Sequence, residues 1–130
     1  MYWPYDFEIS LNGKKEPFFV DEPKRLEVLA TLAVCEEADW SIEHNDGPIL
    51  IVLLNPQRAF VMWMREEGDA GMHAVDPNAD GSDSQEFVLS NGQVDEFSNF
   101  DTVSRELALD AVAHFLRARA PSPQLQWQEP

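Results

Sequence analysis

No uninterrupted apolar stretch in the chain is longer than the run Ile49-Leu50-Ile51-Val52-Leu53-Leu54, and it restricts the possible folds most. Six residues fall far short of the ~20 that a bilayer-spanning helix needs. As a strand, the run has no polar side to turn towards water, so both faces must be covered. It is therefore expected as a central strand, from Pro48 to Leu54, with a layer on each side.

The segments around it carry strand and helix periods in turn. Tyr2 to Leu11 alternates at Phe7, Ile9 and Leu11, and Asn12-Gly13 closes it as a turn. Asp21-Glu22-Pro23 reads as a helix start, an acidic cap with proline in the first turn. That helix is predicted from Pro23 to Ala38, with Leu26, Leu29, Ala30 and Ala33 on its buried stripe and Val28, Leu32 and Cys35 widening it. Trp40 to His44 alternates again, and Asn45-Asp46-Gly47 forms a hairpin-type turn. Strands are predicted at Arg58 to Arg65 and at Met72 to Val75. A polar loop, Pro77 to Ser84, leads into a hairpin made of Glu86–Leu89, the turn Asn91-Gly92, and Gln93–Phe97. A second helix is predicted from Thr102 to Arg119, stopped by Pro121 and Pro123, with an edge strand at Leu125 to Trp127. No repeat or linker divides residues 1–130, which are expected to form one α+β domain: a mainly antiparallel sheet of about six strands packed with two helices.

Charge narrows the function. With 9 Lys+Arg against 24 Asp+Glu the formal net charge is −15, which repels a phosphate backbone and excludes nucleic acid as a partner. A single cysteine, Cys35, removes disulfide frameworks and Cys-rich zinc sites. No basic start or apolar leader is present, so a cytoplasmic protein without a membrane partner is expected.

Catalytic patterns are sparse. His44, His73 and His114 fall in three different elements without metal-ligand spacing, and Cys35 is expected mid-helix on the apolar side, as a small hydrophobe rather than a thiolate. Adjacent acids such as Glu36-Glu37 and Glu66-Glu67 read as solvated faces. Asp76-Pro77-Asn78-Ala79-Asp80-Gly81 opens like a calcium-binding loop, but the twelfth position, where a bidentate glutamate is needed, is Phe87. An acidic turn is the expectation there. No catalytic residue, metal or cofactor is assigned.

One segment stands apart. Between Glu66 and Ser104 there is no lysine or arginine, while acids recur throughout. It is expected to form a negative patch for a basic protein partner, through Glu66, Glu67, Asp69, Asp76, Asp80, Asp83, Glu86, Asp95 and Glu96 with Phe97 as an apolar anchor.

Three segments in order carry a family resemblance. They are Arg58-Ala59-Phe60-Val61-Met62-Trp63-Met64-Arg65 followed by Glu67-Gly68-Asp69-Ala70-Gly71; the hairpin Phe87-Val88-Leu89-Ser90-Asn91-Gly92-Gln93-Val94-Asp95-Glu96-Phe97; and the helix Glu106 to Arg119 with its exit Pro123-Gln124-Leu125-Gln126-Trp127. Over roughly residues 40 to 127 the chain resembles the first-numbered family of immunity proteins of bacterial polymorphic toxin systems, often found beside nucleic-acid deaminase toxins. The resemblance implies a non-enzymatic cytoplasmic protein that binds a cognate toxin domain and blocks it. An acidic adaptor or DNA-mimic module without a toxin partner remains the other reading of the charge.

Overall fold

The computed structural model describes residues 6–19 and 21–130. The predicted first strand is observed as β1, Phe7–Leu11, and its Tyr2–Tyr5 portion lies outside the described residues. The other elements are β2 (Lys14–Phe18), α1 (Glu22–Val34), β3 (Ala38–His44), β4 (Ile49–Leu54), β5 (Ala59–Met64), β6 (Met72–Val75), β7 (Ser84–Val88), β8 (Val94–Ser98), α2 (Arg105–Ala118) and β9 (Gln126–Gln128). The fold is α+β, as predicted. Seven strands form one antiparallel sheet in the order β2-β1-β3-β4-β5-β6-β9. The hairpin β7–β8 is a separate two-stranded ribbon.

The apolar run is β4, the middle strand of the seven. Alternation along it separates two cores. Leu50, Val52 and Leu54 point towards the helices and pack with Val28, Leu32, Ala108, Val112 and Phe115. On the opposite face, Leu53 joins Phe60 and the wholly buried Phe87 of the ribbon, with Ile51, Met62 and Phe97 beside them. Phe97 stacks on Phe60 with ring centroids 4.1 Å apart. The layers are helices, sheet and ribbon.

Beyond shifts of one or two residues at strand ends, the departures from the prediction have physical reasons. Helix α1 ends at Val34 rather than Ala38, because Ala38 is drawn into the sheet opposite Leu54. Extending the helix would also place Glu36 and Glu37 at the negative end of its dipole. Cys35 is consequently the half-buried C-cap, not a mid-helix residue, and its Sγ donates to the Thr31 carbonyl at 3.3 Å. The predicted stripe is also rotated. Val28 and Leu32 are the buried residues, whereas Leu26 is 59% exposed and Ala30 and Ala33 face solvent. Helix α2 starts at Arg105, capped by Ser104, rather than at Thr102. Val103 instead pairs with Ala59 through both backbone hydrogen bonds, at 2.8 and 2.9 Å. Finally, Lys14–Phe18 is an unforeseen edge strand. Its side chains up to Pro17 are exposed, so no apolar period marked it, and proline suits an edge.

Arg105 ties these layers together. Its guanidinium donates to the carbonyls of Asn55 (2.6 Å), Glu36 (3.4 Å) and Cys35, joining the exit of α1, the β4–β5 turn and the start of α2. Among the described residues no helix is long and apolar enough to cross a membrane.

Phe87→Ala removes the ribbon's buried anchor and is expected to cost about 3–5 kcal/mol. Arg105→Ala orphans carbonyls and should cost about 1–3 kcal/mol. Val34→Ala, at an 81% exposed position, should stay within about 0.5 kcal/mol. Urea unfolding followed by tryptophan fluorescence ranks the three.

Candidate functional site

The acidic residues singled out from the sequence occupy two separate places. Glu66, Glu67 and Asp69 are exposed on the turn between β5 and β6. Asp69 braces that turn by accepting from the Arg65 amide at 3.1 Å. The turn closes at Gly71, where φ is +73° and an added Cβ would lie 2.9 Å from Met64 Cγ and 3.0 Å from the Trp63 carbonyl oxygen, leaving no room for a side chain. The remainder lie on the β6–β7 loop and the ribbon. Phe60 and Met64 are at opposite ends of β5, and the ribbon packs against Phe60. The two groups are thus separated by about the length of that strand, roughly 15–20 Å at ~3.3 Å per residue.

Within the second group, the side chains divide between scaffold and surface. Asp76 is bound by Arg58 at 2.8 Å, and its other oxygen accepts from the Asn78 amide at 3.1 Å. Asp80 accepts from the amide and hydroxyl of Ser82 at 2.9 and 2.7 Å, which holds its carboxyl below the ordinary range. These bonds make the loop an acidic turn, and Phe87, at the twelfth position, is buried in the core. Among the described residues no group of three or more His, Cys, Asp or Glu is arranged to hold a metal ion. Asp83, Glu86 and Glu96 are exposed, Asp95 is half-buried, and Phe97 lies between ribbon and sheet. Of the nine acids named from the sequence, Asp76 alone forms an ion pair among the described residues.

Tertiary structure adds two acids that sequence reasoning passed over. Glu8 and Glu43 stand directly opposite each other on β1 and β3, on the sheet face away from the helices; Lys15 pairs with Glu8 at 3.8 Å, and the charge of Glu67 on its turn is felt at Glu43. Burial first, then the charges of Glu67 and Glu8, hold the Glu43 carboxyl above its ordinary range, with Lys15 easing the effect. Their only trace in the sequence is that both occupy the polar position of an alternating strand.

The histidines stay apart. His44 is buried against Phe7, with Nδ1 accepting from the Asp46 amide at 3.0 Å. Burial, then the nearby Arg119 guanidinium, pushes its pKa down. His73 Nε2 meets Asp101 at 2.9 Å and its ring stacks on Phe60. His114 lies half-buried on α2. These are structural contacts, and the exposed feature of the molecule is carboxylate.

Comparison with protein families matches residues 20–129 to the family described as immunity protein Imm1. A comparison with curated proteins found no match.

The acid pair on β1 and β3 generates a pH-dependent expectation. A carboxyl whose folded-state value is raised contributes stability while protonated, and that contribution is lost as pH rises through the folded value. Glu43→Gln, which cannot ionise, should therefore melt higher than wild type at pH 7. The difference should close as the pH falls towards about 4. Thermal melts by circular dichroism at both pH values check this.

Proposed function

The chain belongs to the Imm1 family of immunity proteins, matched over residues 20–129, and from that premise we propose that it binds a cognate toxin domain and neutralises it without catalysing a reaction. The toxin is of the nucleic-acid deaminase type, and the complex forms in the cytoplasm of the cell being protected. The observation that carries this reading is the concentration of carboxylate between Glu66 and Ser104, where the sequence has no lysine or arginine and where, among the described residues, Asp76 and Asp101 alone are ion-paired. An enzyme acting on polynucleotide needs a basic groove for the phosphates. A surface of fixed carboxylates competes for the same cations, accelerates encounter with that groove and covers it.

On this reading Glu66, Glu67, Asp69, Asp80, Asp83, Glu86, Asp95 and Glu96 supply the field, while Asp76 and Phe97 hold the loop and ribbon that carry it. Because the two groups are on the order of one strand length apart, they act on the toxin by different routes. Charges on the β5–β6 turn guide approach over about a Debye length, ~10 Å at 0.1 M salt.

The triple change Glu66→Lys, Glu67→Lys, Asp69→Lys should slow association with the toxin domain encoded beside this gene by about tenfold at low salt. The melting temperature should stay within a few degrees, since all three side chains are exposed. Stopped-flow association at low and high salt checks the route, and rescue of cells co-expressing the toxin checks the outcome. Absence of binding to the neighbouring toxin, with capture of basic chromosomal proteins instead, would replace this function with that of an acidic adaptor.

A further inference from the structure

The ribbon has two unlike faces. Its inner face carries Phe87 and Phe97 against the sheet. Antiparallel register places Ser84 opposite Ser98, Glu86 opposite Glu96, and Val88 opposite Val94 on the outer face. That outer face presents two features that a ribbon selected only for stability would avoid. Like charges directly opposite each other are destabilising, and Glu86 and Glu96 have no cation within ion-pair distance among the described residues. Glu96 accepts instead from the Ser84 hydroxyl at 2.8 Å. Next to this pair, Val88 and Val94 are 44% and 50% exposed, an aliphatic patch with nothing packed on it.

From these juxtaposed pairs we infer that the outer face of the β7–β8 ribbon is the docking surface for a cationic segment of the toxin, a placement that rests on the toxin-neutralising function proposed above. The occupant's chemistry follows from the spacing. On each strand the glutamate and valine are two residues apart, about 7 Å along one face. A matching segment offers lysine or arginine to the carboxylate pair. It also carries, about 7 Å away, an aliphatic or aromatic side chain for the valines, as alternate residues of an extended chain do. A cation between Glu86 and Glu96 relieves their repulsion on binding, and cover over Val88 and Val94 excludes water from that contact. The acids of the β5–β6 turn act through encounter, whereas this face holds the complex once it has formed.

Two variants test the placement with the full chain and the catalytically inactivated toxin domain encoded beside its gene. Glu86→Gln with Glu96→Gln removes the repulsion, so it should melt no lower than wild type while raising the dissociation rate at least tenfold. Val88→Ser with Val94→Ser should also speed dissociation, with little change in association. Surface plasmon resonance and thermal melts supply both readouts. Wild-type dissociation rates in both variants, or binding lost instead through Leu26→Glu and Val34→Glu on the exposed side of α1, would overturn the placement alone. A wild-type chain that binds no toxin would overturn the functional reading together with it.

Discussion

Strand β4 cannot face water on either side, and the rest of the molecule is arranged around that constraint. Leu50, Val52 and Leu54 require the helices, while Leu53 and the half-buried Ile51 require a second cover. A sheet with helices on one face normally leaves the other to polar side chains. Here the β7–β8 ribbon is folded back over it and held by Phe87. Burying that phenylalanine fixes which face of the ribbon points outward. Through the two-residue strand period, it turns Glu86, Glu96, Val88 and Val94 towards solvent. The surface proposed for toxin binding is thus a consequence of core packing.

Charge is segregated by the same architecture. Several of the cations are engaged by the scaffold. Arg58 holds Asp76 and Thr102, Arg105 holds three backbone carbonyls, and Arg25 and Lys24 pair with Glu22 and Glu27 along α1. With 9 Lys+Arg for 24 Asp+Glu, that commitment leaves the acids of the β5–β6 turn and of the ribbon without an ion-pair partner among the described residues. Each unpaired carboxylate is well hydrated at the surface and costs little alone. Glu43 is different, because Glu67 and the Lys15-paired Glu8 both bring negative charge to it.

Much of this was legible beforehand, and the failures are specific. The centrality of β4, the hairpin, the strand Met72–Val75 and the caps Asp21 and Pro23 follow from local patterns that tertiary packing had no reason to override. Helix α1 was misread because it carries two apolar stripes, Val28 with Leu32 and Leu26 with Ala30 and Ala33, and periodicity does not rank them. Its end was misread because the pairing of Ala38 with Leu54 is a long-range event. Edge strand β2 carried no alternation to detect, since an edge exposed on both faces needs none.

The sequence by itself determined that this is an acidic α+β chain with a doubly covered central strand and a cation-free segment. Those properties depend on composition and on neighbours within a few residues. The tertiary structure alone decided where the acids gather. It split Glu66, Glu67 and Asp69 from the ribbon by the length of β5, and it brought Glu8 and Glu43 together from two strands. It also set Glu86 against Glu96 beside two exposed valines. Electrostatic energy depends on distance through space, and strand register, which sets that distance, comes from the packing of the whole sheet.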